Sequence, residues 1–177
     1  MLTIGLLMIE HRLIERMIKL MAKEVERAKQ AGQADLNFID TAVDFIRTYA
    51  DRCHHGKEED ILFNILGKKP MSDKDKKMME ELISEHVWGR KTVGSLVDAK
   101  NQYAQGNKGS LKDIIKFCEQ LIDFYPKHIQ KEDKIFFPAS SRYFDQLEQE
   151  AMLEECYEFD RKLIHEKYSK LVEKLES

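Results

Sequence analysis

The stretch Cys53–Phe63, CHHGKEEDILF, places His54 four residues before Glu58 and ends in three apolar residues. Positions four apart lie on one face of an α-helix, separated by about 6 Å along its axis. The stretch therefore presents an imidazole beside a carboxylate. These are ligand types that hold divalent iron, manganese or zinc in proteins.

The same pattern returns later in the chain, at Lys127–Phe137, KHIQKEDKIFF. There His128 stands four residues before Glu132, and an apolar run again follows. The interval from His54 to His128 is the same as the interval from Glu58 to Glu132. The repeat predicts a helical scaffold built around two such pairs.

Two shorter motifs extend this twofold pattern. Glu10-His11 is repeated as Glu85-His86, so each half of the chain has one lone histidine and one His-x-x-x-Glu pair. Antiparallel helices joined by a short loop can bring the two histidines of each half to one level. We therefore expect a metal site in the middle of a helical bundle, with these ligands: His11, His54, Glu58, His86, His128 and Glu132.

The composition is that of an ordinary globular protein. The chain has 177 residues, of which 42% are hydrophobic and 34% charged, with three prolines and eight glycines. This length fits one domain, and the scarcity of helix breakers favours an all-α fold. The formal net charge of −3 gives no electrostatic reason to expect nucleic acid or a membrane as a partner. A protein partner is not indicated.

Location is inferred from the apolar runs and the cysteines. No apolar run approaches the roughly 20 residues of a membrane span, and the N-terminal residues lack the basic stretch and cleavage motif of a signal peptide. The three cysteines, Cys53, Cys118 and Cys156, are far apart and form no C-x-x-C motif. This spacing suits a reducing compartment, so we expect a cytoplasmic protein.

Apolar periodicity predicts four long helices and a fifth helical region. The helices are predicted over 4–30, 36–66, 73–104 and 111–137, and the fifth region over 143–177 with a break near 157–160. Pro126 is expected to bend the fourth helix and Pro138 to end it. Short polar loops favour antiparallel packing, so we predict an up-down-up-down four-helix bundle at 1–140. Residues 141–177 would form a C-terminal helical extension packed on it.

The predicted ligand set suits two metal ions better than one. Which histidines share an ion is not readable from the sequence. Two glutamates on inward faces are costly unless they bind metal or are paired, and they serve best as bridges between two dications. An octahedral ion would keep positions for a bridging hydroxide and for a small ligand such as dioxygen or nitric oxide. A structural zinc site would instead be closed and four-coordinate.

Four stretches of the chain resemble hemerythrin-like proteins, also called HHE cation-binding domains. They are EHRLIERM, HHGKEEDILF, EHVWGR and HIQKEDKIFFP, and the resemblance covers about residues 1–140. FDRKLIHEKY, at 159–168, is similar to the tail of such proteins. The resemblance implies a hemerythrin-like bundle with a non-haem centre of two iron ions joined as Fe–O–Fe or Fe–OH–Fe. Manganese or zinc are the alternative metals.

The chain departs from the oxygen-carrying hemerythrins at two positions. Those proteins have a second histidine one turn along the third helix, where this chain has Arg90. Their last ligand follows the pattern His-x-x-x-x-Asp, which Asp133 would satisfy. We favour Glu132, because it matches Glu58 in the repeat and lies about 40° from His128 around the helix, against about 140° for Asp133.

The leading hypothesis is a non-haem di-iron protein that binds or senses dioxygen, nitric oxide or peroxide. One alternative is a di-iron enzyme acting on peroxide or nitric oxide, or an iron donor in iron–sulfur repair. Another is an iron-responsive interaction module. Whether the chain is an enzyme stays open.

Five residues near the predicted site are expected to have lesser roles. His55 points about 100° away from His54 on a regular helix, so we expect it behind the ligands or at the surface. Glu15 is expected in a salt bridge, and Arg90 beside a carboxylate. Tyr49 and Tyr125 are expected to pack, with donation to a bound oxygen species as the alternative.

Overall fold

The computed structural model describes the backbone of residues 3–176, and their side chains except those of 168–171 and 173–176. The ends of the two predicted units lie outside the described residues: Met1, Leu2 and Ser177. The described chain is all-α and contains no β-strand, which confirms the predicted fold class. It forms five long helical segments, named α1 to α5 below.

The first two helices begin and end at residues suited to those positions. Helix α1 spans Thr3–Ala31, and Gly32 follows it with a φ of 66°, a left-handed conformation that glycine adopts readily. Asp35 then caps α2, because its side chain accepts hydrogen bonds from two backbone N–H groups of the first turn. Helix α2 covers 36–66, as predicted.

Helix α2 changes its hydrogen-bonding pattern where the predicted ligands lie. Its α-helical, π-helical, π-helical and final α-helical parts are Leu36–Phe45, Ile46–His55, Glu58–Phe63 and Asn64–Leu66. A π-helical turn closes its hydrogen bond over five residues instead of four, and such turns occur mostly at functional sites. The turns therefore change which side chains of α2 face its neighbours.

Helix α3 spans Asp73–Ala104, as predicted, and the Ser72 side chain caps it by accepting a hydrogen bond from the backbone N–H of Asp75. Helix α4 covers 111–140. Its α-helical, π-helical and final α-helical parts are Leu111–Lys131, Glu132–Phe136 and Phe137–Ser140. The prediction that Pro138 ends this helix is wrong. Pro138 lies just after the change from the π-helical part to the final α-helical part, and the helix continues through it to Ser140.

Helix α5 spans Gln146–Glu176 without interruption, so the predicted break near 157–160 is wrong. It packs against α1 and against the π-helical parts of α2. Gly56 of α2 permits the close approach, since a Cβ atom there would lie 2.8 Å from Cζ of Phe159.

The first four helices form a closed ring of contacts. Helix α1 packs against α2 and α4, and α3 packs against the same two helices. The up-down-up-down order of the four helices stays a prediction. Among the described helices, none is both long and apolar enough to cross a membrane.

Two apolar clusters fill the ring, and the predicted ligands lie between them. One cluster contains Ile14 and Leu121, and the other contains Leu7 and Leu82. On α1, for example, His11 comes between Leu7 and Ile14. The fold therefore places a layer of polar side chains inside an otherwise apolar interior.

Candidate metal centre

The six side chains predicted as ligands meet inside the helical ring. Each exposes at most 2% of its surface: His11, His54, Glu58, His86, His128 and Glu132. Helices α1 and α3 each supply one histidine, and α2 and α4 each supply a histidine and a glutamate. The twofold repeat of the sequence is thus a single buried cluster in three dimensions.

The possible ligand atoms form two groups, in each of which one atom per residue lies within 4.8 Å of the others. The first group contains His11, His54, Glu58 and Glu132. The second contains His55, Glu58, His86 and His128. The first group contains the predicted histidines of α1 and α2, and the second contains those of α3 and α4 together with His55 of α2. Glu58 belongs to both groups.

Glu132 directs one carboxylate oxygen toward each group. Its Oε2 lies 3.2 Å from Nε2 of His11, and its Oε1 lies 3.2 Å from Nε2 of His128. Two atoms that each bind one ion at about 2.1 Å in adjacent positions lie about 3 Å apart. The spacing therefore fits an ion between Glu132 and each of these histidines.

Glu58 repeats this arrangement on the other side of the cluster. Its Oε1 lies 3.5 Å from Nε2 of His54, and its Oε2 lies 3.4 Å from Nε2 of His86. The two glutamates thus span the space between the two groups in the same way. Each glutamate therefore has one oxygen beside each group of histidines.

A carboxylate orients each of the four predicted histidine rings through its Nδ1 atom. The pairs are His11–Asp133 at 2.8 Å, His54–Glu10 at 2.9 Å, His86–Glu59 at 2.7 Å and His128–Glu85 at 2.7 Å. A carboxylate accepts hydrogen bonds, so Nδ1 donates and Nε2 keeps its lone pair. Histidines that bind metals are usually held in this way.

The Nε2 atoms of His86 and His128 lie only 3.2 Å apart. Because both Nδ1 atoms donate to carboxylates, neither Nε2 carries a hydrogen for a bond between the two rings. Two lone pairs facing each other at this distance repel. A cation between the rings would convert this repulsion into coordination.

Within the described part of the chain, six buried side-chain atoms have no hydrogen-bond partner. They are Nε2 of His11, Nε2 of His54, both carboxylate oxygens of Glu58 and both carboxylate oxygens of Glu132. An unpaired buried polar atom typically costs about 1–3 kcal/mol. All six face the same space, and all are metal-ligand types, so the cluster fits metal ions by its donor chemistry.

Burial shifts the ionisation of the cluster in two directions. It lowers the pKa of His128 to about 4 and lowers the pKa of His54 well below its usual value, which favours the neutral imidazole that binds metals. Burial also raises the pKa of Glu58 and Glu132 well above the usual range, and the charge of Glu58 adds to the shift at Glu132. The glutamates are therefore the groups that most need a nearby cation.

The sequence interpretation missed the carboxylates that hold the histidines. Their positions follow the twofold repeat: Glu10 and Glu85 directly precede a histidine predicted as a ligand, while Glu59 and Asp133 directly follow a glutamate predicted as a ligand. Each of them contacts a histidine on a neighbouring helix rather than its own. An acidic residue at the same offset in both halves was a signal that could have identified them.

Of three further residues near the cluster, two make the contacts that the sequence predicted and one does not lie where it was expected. His55 is buried, with 3% of its surface exposed, and joins the second group, so the expected surface position is wrong. Arg90 binds the carboxylates of Asp51 and Glu59, each at 2.7 Å. Glu15 forms an ion pair with Arg12 at 3.1 Å. Arg90 and Glu15 thus adopt the ion-pair roles that the sequence favoured.

The two tyrosines lie outside both groups of possible ligand atoms. Burial raises the pKa of Tyr49 to about 12, and its ring stacks on Phe45 with centroids 5.1 Å apart. Tyr125 is buried and stacks at 6.4 Å on the ring of His55. Both make the packing contacts expected of them.

The sequence profile described as hemerythrin HHE cation binding domain matches residues 2–140. No curated protein and no solved structure matches the chain significantly. The matched range contains all the histidines and glutamates of the buried cluster, and it covers most of the chain. The chain therefore belongs to the hemerythrin HHE cation-binding family.

Proposed function

We propose that the chain binds two iron ions in the buried cluster and that this centre binds or senses a small oxidant: dioxygen, nitric oxide or peroxide. The proposed ligands are His11, His54, Glu58, His86, His128 and Glu132. The observation that carries the proposal is the pair of glutamates, each with one oxygen facing either group of histidines. Carboxylates that each face two groups of imidazoles suit two ions better than one.

The donor types support iron over the other metals. Structural zinc sites are commonly closed by four ligands, often thiolates, whereas this cluster combines imidazoles with shared carboxylates. Calcium and magnesium prefer all-oxygen sites. Manganese stays the closest alternative, because it accepts the same nitrogen and oxygen donors.

When bound, two adjacent iron ions would supply open coordination positions and the electrons that reduce a small oxidant. The side chains of this protein would orient the ligands, balance the charge of the ions and limit access to the centre. The carboxylates behind the histidines keep each Nε2 directed inward, and the glutamates balance the charge of the ions. The apolar clusters on both sides exclude bulk water and larger molecules, which favours a diatomic or similarly small ligand.

Iron analysis of protein purified without oxygen tests the proposal. We expect about two iron ions per chain, and a visible absorption of an oxo-bridged centre after exposure to air. The double variant His54→Ala with His128→Ala, which removes one histidine from each group, should lose both. His165→Ala, at an exposed histidine of α5, is the matched control and should keep them.

The proposal fails if the wild-type protein holds no metal, or if the double variant holds as much as the wild type. Turnover assays with hydrogen peroxide and nitric oxide then separate binding from catalysis. A protein that only binds or senses saturates with its ligand and does not consume it.

We further propose that residues 1–140 form the cation-binding unit and that 141–177 form a helical extension packed on it. The end of the family match at residue 140 supports this division. The free cysteines Cys53, Cys118 and Cys156 support a reducing, cytoplasmic setting.

A further inference from the structure

We propose that Lys57 and Lys131 are matching positioning residues, each of which holds the carboxylate behind one proposed ligand histidine, and that Asp160 of α5 completes this arrangement at Lys57. Each lysine directly precedes a proposed ligand glutamate, so the two lie at the same place in the twofold repeat. The consequence for metal ions rests on the proposed function, because it concerns the same two iron ions.

In the first half of the repeat, a lysine and a histidine share one carboxylate. Lys57 of α2 donates a hydrogen bond to Oε1 of Glu10 on α1. The other oxygen of Glu10, Oε2, lies 2.9 Å from Nδ1 of His54. Hydrogen bonds between charged groups are the stronger kind, so the ammonium of Lys57 fixes the carboxylate that orients the ring of His54.

The second half of the repeat makes the same contacts atom for atom. Lys131 of α4 donates a hydrogen bond to Oε1 of Glu85 on α3. Oε2 of Glu85 lies 2.7 Å from Nδ1 of His128. In both halves, therefore, a lysine on one helix holds the carboxylate of a neighbouring helix against a histidine that precedes the lysine by three residues.

The two lysines obtain their second carboxylate from different helices. Lys131 also donates to Glu81, which lies one turn before its first partner on α3. The corresponding residue of α1 is Leu6, whose side chain has no polar group. Lys57 instead donates to both oxygens of Asp160 on α5, at 2.7 and 2.9 Å. Helix α5 thus supplies to the first half the carboxylate that α3 supplies to the second.

The two lysines differ in burial. The side chain of Lys57 is fully buried, whereas that of Lys131 exposes 22% of its surface. Charges interact more strongly where water is excluded, so the first group of ligands should respond more to its lysine than the second group does. Asp160 should have the same advantage over Glu81, because it acts through the buried lysine.

The arrangement has a consequence for the ions. An imidazole that donates to a carboxylate becomes a more basic ligand, which favours the ferric state of its ion. Lys57 draws charge from Glu10 and weakens this effect, while Asp160 offsets the charge of Lys57. Removing the charge of Lys57 and removing that of Asp160 should therefore have opposite effects. A purely structural role would make both changes act in the same direction.

Proton NMR of the metal-free protein tests the positioning roles without iron. Lys57→Met should move the Nδ1–H resonance of His54 downfield, because a carboxylate that no longer shares its charge with a lysine accepts a stronger hydrogen bond. Asp160→Asn should move the same resonance upfield. Lys131→Met should move the resonance of His128 downfield and leave that of His54 unchanged.

Spectroelectrochemical titration of protein loaded with ferrous iron, without oxygen, tests the effect on the ions. Lys57→Met should lower the midpoint potential of one ion and Asp160→Asn should raise it. The expected change is about 10-fold in the ratio of ferric to ferrous affinity, or about 59 mV for one electron. Lys131→Met should lower the potential of the other ion by less. The control Asp44→Asn breaks an exposed ion pair with Lys167 of α5 and should change neither the potentials nor the resonances.

The inference is overturned if Lys57→Met and Asp160→Asn move the resonance of His54 in the same direction, or if neither moves it. Should Lys57→Met fail to fold, unmoved resonances in both Asp160→Asn and Lys131→Met are sufficient to reject the inference. If the resonances move but the potentials do not, the claim about the ions is wrong. If the wild type binds no iron, the proposed function fails, while the resonances still decide the roles of the two lysines.

Discussion

Glu132 and Asp133 are neighbours in the sequence but contact opposite sides of the same imidazole. Glu132 is fully buried and faces Nε2 of His11 at 3.2 Å. Asp133 lies 2.8 Å from Nδ1 of His11 and also pairs with the guanidinium of Arg12. Asp133 therefore orients the ring, while Glu132 lies beside Nε2, the nitrogen that faces the buried cluster.

These contacts predict different results for two isosteric variants. Glu132→Gln removes the charge that faces both groups, so the variant should lose at least one of the two iron ions. Asp133→Asn leaves every proposed ligand in place and removes only charge behind His11. It should keep both ions, bound about 10- to 100-fold more weakly. Metal content and affinity measured on both variants decide the question. The opposite pattern would make Asp133 the ligand.

At the scale of single residues, the repeat identified the side chains of the cluster, including Glu132, but not the residues that support them. The twofold spacing pointed to six side chains, and the structure brings all six together. It could not identify Glu10 or Glu85 as supporting groups. Each contacts a histidine 44 or 43 residues away, on a neighbouring helix, and such pairs depend on helix packing rather than on spacing.

Among the helices, α2 differs most from what the sequence predicts. Its limits are as expected, but it is π-helical over Ile46–His55 and Glu58–Phe63. A turn that holds more residues separates consecutive side chains by less than the 100° of an α-helix. His54 and His55 can therefore both face inward, and a helical wheel with regular spacing turns His55 away from the site.

Helix α5 contacts the candidate site through a buried lysine of α2. Lys57 is fully buried, and its Nζ donates to Oδ1 of Asp160 on α5 at 2.7 Å and to a carboxylate oxygen of Glu10. Burial opposes the charge of Lys57, yet Glu10 and Asp160 together raise its pKa above the usual value. The other oxygen of Glu10 lies 2.9 Å from Nδ1 of His54. Helix α5 is thus three contacts away from a proposed ligand.

This connection predicts the effect of Asp160→Ala. The change leaves a buried ammonium with one carboxylate instead of two, and it should destabilise the protein by about 1–3 kcal/mol. The matched control is Asp44→Asn, which breaks the exposed ion pair of Asp44 with Lys167 on the same helix. It should cost less than about 0.5 kcal/mol. Denaturant unfolding of both variants gives the comparison, and equal effects would mean that α5 is held mainly by apolar contacts.

For the whole molecule, the sequence predicted where helices begin and end better than it predicted whether a helix is continuous between its ends. Periodicity and turn residues gave the limits of Asp73–Ala104, because Ser72 and the loops are local features. The continuity of α5 through 157–160 was not predicted, because a break was expected there. Phe159 packs at Gly56 of α2, and Asp160 binds Lys57. These contacts with α2 stabilise the helix at 157–160, and they depend on tertiary packing that local sequence patterns do not show.

The layer of polar side chains between two apolar clusters makes the stability of the whole molecule depend on metal. Without a cation, the carboxyl oxygens of Glu58 and Glu132 are buried without hydrogen-bond partners and destabilise the folded state. Each iron ion at a free concentration of about 1,000 times its Kd would stabilise the fold by about 4 kcal/mol, so two ions would contribute about 8 kcal/mol. For a chain of this length, each kcal/mol changes Tm by about 2–4 °C, so removing both ions by chelation should lower Tm by about 16–32 °C. The double variant Glu58→Gln with Glu132→Gln should show little response to the chelator in thermal unfolding followed by circular dichroism. An equally small response in the iron-loaded wild type would mean that the apolar clusters alone stabilise the fold.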